Sequence, residues 1–124
     1  MKFYICRHCG NIVAYLHESG VKVVCCGEAM QELIPNSTEA SNEKHIPVIE
    51  VKGNQVVVKV GEVLHPMLDV HYIEWIALET KHGNQRVTLK PGDAPIATFS
   101  LVDNDEVVRA YAFCNIHGLW VKEA

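Results

Sequence analysis

No apolar run in the chain approaches the roughly 20 residues needed to span a bilayer, which argues against a membrane-crossing helix. There is no Lys/Arg cluster or basic stripe, and the net charge is −4, so a nucleic-acid role has no electrostatic support. Met1 to Ile5 runs straight into Cys6. It has neither the apolar core nor the cleavage site of a secretory signal, so the expected location is the cytoplasm. No internal repeat, low-complexity tract or convincing long helix is present. The cysteines do not pair off either: there are five, four of them within the first 26 residues. In a reducing compartment such a cluster is more often a metal site than a disulfide framework, although two disulfides are an alternative reading of the same four thiols.

The 124 residues suffice for one domain plus a small appendage, and an apolar share of 48% argues against wholesale disorder. Residues 1–35 read as a small metal-binding domain. Cys6-Arg7-His8-Cys9-Gly10 is a CxxC knuckle, and Asn11 to Leu16 is β-like. Ser19-Gly20 marks a turn, and Val21 to Val24 reads as a return strand leading into Cys25-Cys26-Gly27. So short a segment has too little core to fold unaided, and a metal would supply the missing stability. Residues 36–42 are polar and aperiodic and read as a linker.

From residue 43 to 124 the chain reads as about seven short strands, which predicts an immunoglobulin-like β-sandwich. Ile46 to Lys52 and Gln55 to Val60 flank a Gly53-Asn54 turn. Val70 to Leu78 is rich in β-branched and aromatic residues and would place His71, Ile73 and Trp75 on one face. Gly83-Asn84 reads as a turn before Gln85 to Leu89. Three more strands follow at Ala97 to Val102, Val107 to Phe113 and Leu119 to Lys122.

Two groups of residues carry the chemistry. Cys6, Cys9, Cys25 and Cys26 offer four thiolates, a set that suits Zn²⁺ or a single iron. The adjacent pair Cys25-Cys26 is unusual, because neighbouring side chains point apart. The second group starts from Cys114, three residues before His117, with Gly118 freeing the backbone to turn. His45, His65 and His71 are the candidate partners. Any one of them alone reads as an ordinary surface or core histidine, as His8, His17 and His82 do. Together, four imidazoles and one thiolate exceed the four ligands of a structural zinc. They suit an octahedral metal with its sixth position free for a small anion. Glu43-Lys44 precedes His45; the cation could draw in an anion and the carboxylate could reach the open position or serve a protonation.

The sequence resembles the desulfoferrodoxins, the two-iron form of superoxide reductase. The resemblance rests on Cys6-x-x-Cys9-Gly10-Asn11-Ile12-Val13 with Cys25-Cys26-Gly27, and on Glu43-Lys44-His45-Ile46-Pro47-Val48-Ile49-Glu50. It is carried further by His65-Pro66-Met67 with His71, and by Cys114-Asn115-Ile116-His117-Gly118-Leu119-Trp120. It implies a desulforedoxin-like domain holding one iron through Cys6, Cys9, Cys25 and Cys26, with zinc as an alternative occupant. It also implies a second iron held by His45, His65, His71 and His117 in a plane, with Cys114 axial. The implied activity is one-electron reduction of superoxide to hydrogen peroxide, with Lys44 steering the anion and Glu43 covering the open face afterwards. A rubredoxin-like donor and a homodimer are implied as well. The competing readings are a non-enzymatic electron carrier, a zinc-stabilised binding module and a dismutase.

Overall fold

The computed structural model describes residues 1–124. It divides into two compact units, Met1–Ile34 and Pro35–Ala124. No helix is long and apolar enough to cross a membrane.

The first unit holds five very short strands. β1 (Phe3–Ile5) lies between β2 (Ile12–Ala14) and β5 (Gln31–Glu32), both antiparallel to it. β3 (Val24–Cys25) and β4 (Glu28–Ala29) form a separate hairpin. The expected pairing of Asn11–Leu16 with Val21–Val24 is therefore replaced. Ile12–Ala14 pairs with Phe3–Ile5, and the part of the return run that joins a ladder is Val24, opposite Ala29. The reason is burial. Phe3 and Ile5 are withdrawn from solvent, whereas Leu16, Val21 and Val24 are exposed and give a Leu16-to-Val24 hairpin no face to bury. Few side chains of the unit are buried, chiefly Phe3, Ile5, Cys6, Met30 and Leu33, too few to stabilise such a segment alone.

The second unit is a sandwich of two antiparallel sheets. β6 (Pro47–Lys52), β7 (Gln55–Val60) and β10 (Ile96–Ser100) form one, with β7 in the centre. β8 (Ile73–Thr80), β9 (Gly83–Thr88), β11 (Val107–Cys114) and β12 (Gly118–Glu123) form the other, in the order β9-β8-β11-β12. This is the all-β sandwich the sequence predicts. Val56, Val58 and Val60 from β7 meet Ile73, Ile76 and Leu78 from β8 and Ala110, Ala112 and Cys114 from β11. Each large aliphatic chain so buried contributes about 1.5–3 kcal/mol, which makes the strand ends rigid supports for the site.

Three details differ from expectation. β8 starts at Ile73, so His71 lies outside it, in an isolated bridge with Leu68. Ile73 and Trp75 do not share a face either. The β8–β11 register slips between Phe113 and Cys114, and this bulge turns Ile73 to the same core as Ile76 and Leu78 while Trp75 stacks on Phe113. The turn expected at Gly83-Asn84 falls instead at Lys81-His82, with Thr80 paired to Gly83. The Asp105 carboxylate fixes it there, accepting the Thr80 hydroxyl at 2.7 Å and the His82 N–H at 3.2 Å.

The polar stretch 36–42 is held by hydrogen bonds within the second unit. Asn36 donates its backbone N–H to Leu119 O at 2.9 Å and its side-chain amide to Val121 O at 3.2 Å. Its side-chain oxygen accepts the Val121 N–H at 2.9 Å. A single helical turn, α1 (Asn42–His45), then begins at Ser41.

Candidate metal centres

In the first unit, the ligand atoms of Cys6, Cys9, Cys25 and Cys26 all lie within 4.8 Å of one another. All five cysteines of the chain are free. Cys9 Sγ and Cys25 Sγ are 3.6 Å apart. Four sulfurs at about 2.3 Å around one ion would be about 3.8 Å apart, so the spacing suits tetrahedral coordination. The puzzle of two adjacent ligands is settled by the backbone. Cys26 and Gly27 both have positive φ, 53° and 78°, and form the two-residue loop between β3 and β4. This is the sign pattern of a type I′ hairpin turn, and it swings the Cys26 thiol round to join that of Cys25.

The thiols behave as an ion-binding set. The Cys9 backbone N–H points at the Cys6 sulfur and brings its pKa down to about 6. Hydrogen bonding to the Cys6 sulfur, then to those of Cys9 and Cys25, holds the proton on Cys26 and pushes it up to about 12. Four thiolates this close repel one another unless a cation lies among them, so metal binding and thiol deprotonation are coupled.

In the second unit, the ligand atoms of His45, His65, His71 and Cys114 lie within 4.8 Å of one another. His117 completes the set, with Nδ1 3.1 Å from His45 Nε2 and 4.0 Å from Cys114 Sγ. The four imidazoles form a closed square. Neighbouring ring centroids are 4.6 Å apart for His45–His65 and His65–His71, 5.1 Å for His71–His117 and 5.0 Å for His117–His45. Each neighbouring pair is close to perpendicular, while His45 and His71 face each other across the square at 6.3 Å.

Each ligand is placed by its own local device. His45 ends α1, and its Nδ1 donates to Ser41 O at 2.7 Å. His65 follows β7 through its N–H to Val60 O at 2.7 Å, and its Nδ1 donates to Pro66 O at 2.7 Å. A carbonyl can only accept, so both rings carry their proton on Nδ1 and aim a lone pair through Nε2. Cys114 closes β11 on its core face, fully buried. The three-residue turn Asn115–His117 then returns through Gly118 at φ 77°, which pairs with Cys114. The Trp120 indole N–H donates to His117 O at 3.1 Å, and its ring lies 4.8 Å from that of His45.

The arrangement calls for a cation. His65 Nε2 and His45 Nε2 are 3.2 Å apart, yet both rings have already committed their protons to carbonyls. Two lone pairs at that distance repel unless a positive charge lies between them. His71 Nε2 is buried with no hydrogen-bond partner, a costly state unless it is a ligand. Desolvation favours the neutral form of three of the rings, lowering His45 and His71 and taking His65 to about 4. Burial pushes the Cys114 thiol up, offset by the backbone N–H groups of His117 and Ile116; the His117 N–H lies 3.4 Å from the sulfur.

Glu43 and Lys44 are exposed on α1, directly before His45. The Lys44 charge is felt at both His45 and His71, where it adds to the lowering caused by burial. His8 pairs with Glu28, and His82 sits beside Asp105; neither joins the square. Sequence reasoning overlooked the role of Asn115. Its side chain accepts the Tyr72 N–H at 2.9 Å and donates to Val70 O at 3.1 Å, and its own N–H donates to Tyr72 O at 3.2 Å. It thus clamps the His71 segment to the Cys114 turn. The available signal was a two-way hydrogen-bonding side chain inside a ligand turn.

A unit with four converging thiols joined to a sandwich with four imidazoles and a thiol defines a two-centre metalloprotein. The chain belongs to the desulfoferrodoxin family: residues 37–123 match the desulfoferrodoxin model, and residues 1–33 match the desulfoferrodoxin N-terminal domain. It is 48% identical to a desulfoferrodoxin homolog of Archaeoglobus fulgidus over 97% of this chain and 94% of that one. It is 46% identical to the desulfoferrodoxin of Nitratidesulfovibrio vulgaris over 99% of this chain and 96% of that one. Among solved structures, the superoxide reductase of Treponema pallidum superposes with a TM-score of 0.83 at 39% identity, covering 98% of both chains. The one-iron superoxide reductase of Giardia intestinalis superposes with a TM-score of 0.58 at 34% identity, covering 66% of this chain and 97% of that one.

Proposed function

We propose that this protein is a superoxide reductase, converting superoxide to hydrogen peroxide with one electron and two protons. The observation that carries the reading is the square of four imidazoles with a buried thiol beside it. Five soft and borderline ligands suit iron, which would supply one-electron chemistry there. The full-length likeness to the Treponema pallidum enzyme supports it.

Residues 43–124 form the catalytic domain in this reading. His45, His65, His71, His117 and Cys114 would hold an iron, and residues 1–35 would hold a second through Cys6, Cys9, Cys25 and Cys26, where zinc is the alternative. Iron in the five-ligand set would supply a one-electron reductant for a small anion. The rest of the mechanism is the work of the chain. Ser41 O and Pro66 O fix the tautomers of His45 and His65, so that neither ring has to reorganise during turnover. Lys44 draws the anion toward the square. Glu43, two residues before His45, would be the carboxylate that caps the site or passes on a proton. The N–H groups of Ile116 and His117 spread charge away from the Cys114 sulfur, which tunes how strongly the thiolate donates. A cytoplasmic location, a rubredoxin-like electron donor and a homodimer complete the proposal.

The test is rapid mixing of the reduced, iron-loaded protein with pulsed superoxide. Second-order oxidation of the ferrous site, with peroxide formed and no dioxygen released, is expected. Dioxygen release would point to a dismutase. A ferrous site that does not react would leave an electron carrier, and a colourless zinc-only protein would leave a binding module.

A further inference from the structure

Gly61 ligates nothing, yet it cannot carry a side chain. It is buried in the turn that leaves β7 and leads to His65. A Cβ built on it would lie 2.5 Å from Glu43 O, 2.9 Å from Ile46 O and 3.2 Å from Glu43 C. These are backbone atoms, so no side-chain rotation relieves the contact. The need for glycine here is one of space, since Gly61 is not among the positive-φ glycines.

The two carbonyls it faces flank His45, on the single turn α1. A helix of one turn has no stability of its own, and its last carbonyls need outside donors. The turn after β7 provides one: the Val63 N–H donates to Glu43 O at 3.1 Å. The turn is itself closed by the Gly61 N–H to Val63 O at 3.3 Å and the His65 N–H to Val60 O at 2.7 Å. One short clasp therefore carries His65 and grips the backbone of the segment that carries Glu43, Lys44 and His45.

We propose that Gly61 is a positioning residue for the five-ligand centre. Its missing side chain lets the turn at 60–65 close on α1. That closure brings His45 Nε2 to 3.2 Å from His65 Nε2 and fixes the backbone of Glu43 and Lys44 beside the square. The metal-holding part of this inference rests on the ligand geometry, and only its kinetic part rests on the proposed activity.

The test compares iron-loaded full-length Gly61→Ala with Gly83→Ala, where a Cβ meets nothing within 4 Å. In Gly61→Ala, α1 is pushed outward. Affinity for the second-unit iron, measured by competition with a chromogenic ferrous chelator, is expected to fall about 10- to 100-fold, as when other supports of metal ligands are removed. The thiolate-to-iron absorption of that centre should shift, while the absorption of the four-cysteine centre stays as in Gly83→Ala. The second-order rate with superoxide should fall as well. A wild-type protein inert to superoxide would defeat the functional reading and leave the first two readouts intact. Iron affinity and spectrum equal to those of Gly83→Ala would overturn the proposal. Should Gly61→Ala not fold, amide exchange on the wild-type iron-loaded protein decides. Val63 and His65 N–H groups protected like those of β7 support the clasp, and exchange at open-loop rates overturns it.

Discussion

Cys114 and Lys44 show two ways in which a single side chain can act on a metal centre. Cys114 is fully buried at the end of a core strand, with a backbone N–H 3.4 Å from its sulfur. In the proposed reaction its role would be electronic, because a thiolate donates charge that an alcohol does not. Cys114→Ser should lower the rate of superoxide reduction by more than about 100-fold, beyond what is lost when only a ligand's hydrogen-bond partner is removed. Iron content and rate measured together check this, and a variant that keeps both iron and full rate would refute it. Lys44 is exposed, and its charge acts through space. Lys44→Ala should slow the encounter with superoxide by about tenfold at low ionic strength and flatten its salt dependence. An unchanged rate across a salt series would dispose of the steering role.

At the scale of elements, the site is a meeting of α1, the turn after β7, the His71 segment before β8, and the β11–β12 loop. Asn115 ties the last two of these together through two side-chain bonds and one backbone bond. Asn115→Ala leaves the Tyr72 N–H and the Val70 carbonyl to find water or stay unpaired. It should cost about 1–3 kcal/mol, visible as a lower denaturation midpoint of the second unit. His71 should also be released earlier, seen as faster loss of that iron to a chelator. A midpoint and iron retention equal to wild type would show that the clamp is redundant. Both tryptophans, Trp75 and Trp120, lie in β8 and β12, so selectively excited tryptophan fluorescence reports on this unit.

For the molecule as a whole, two centres on separate units predict separable losses. Cys9→Ala removes a thiol of the four-thiol set and should abolish its thiolate absorption while the superoxide rate stays within about twofold, since the five-ligand set takes no residue from the first unit. Loss of both signals together would show the units to be coupled. Stability against pH follows from the buried imidazoles. Desolvation holds His65 near 4 in the folded state, against 6.5 as its ordinary value, and lowers His45 and His71 as well. Between those values the unfolded chain binds more protons than the folded one. The metal-free protein should therefore lose stability as pH falls from 6.5 toward 4, with no further contribution from these groups above that window. Tryptophan-detected unfolding midpoints across the range check this, and His65→Gln should flatten the profile. An equally steep profile in the variant would assign the effect to other groups.

The amino-acid sequence alone determined the two ligand sets, the all-β class and most strand positions. Thiols and imidazoles announce their chemistry by type, and alternation marks a half-buried strand wherever it sits. The turn of Cys26 and Gly27 through positive φ, the bulge that sends Trp75 away from Ile73, and the displacement of the Gly83 turn by Asp105 were not legible. Each depends on what a segment meets across the fold, not on its own pattern. The same holds for the supports of the site. Asn115, the carbonyls of Ser41 and Pro66, and the bare Cα of Gly61 matter only through neighbours brought up from elsewhere in the chain. The sequence supplied a list of ligands, and the tertiary structure decided which nitrogen of His45, His65 and His71 faces the metal position and how closely the turns that carry them approach. Tautomer and distance are properties of contacts, and contacts between distant residues are set only when the core closes.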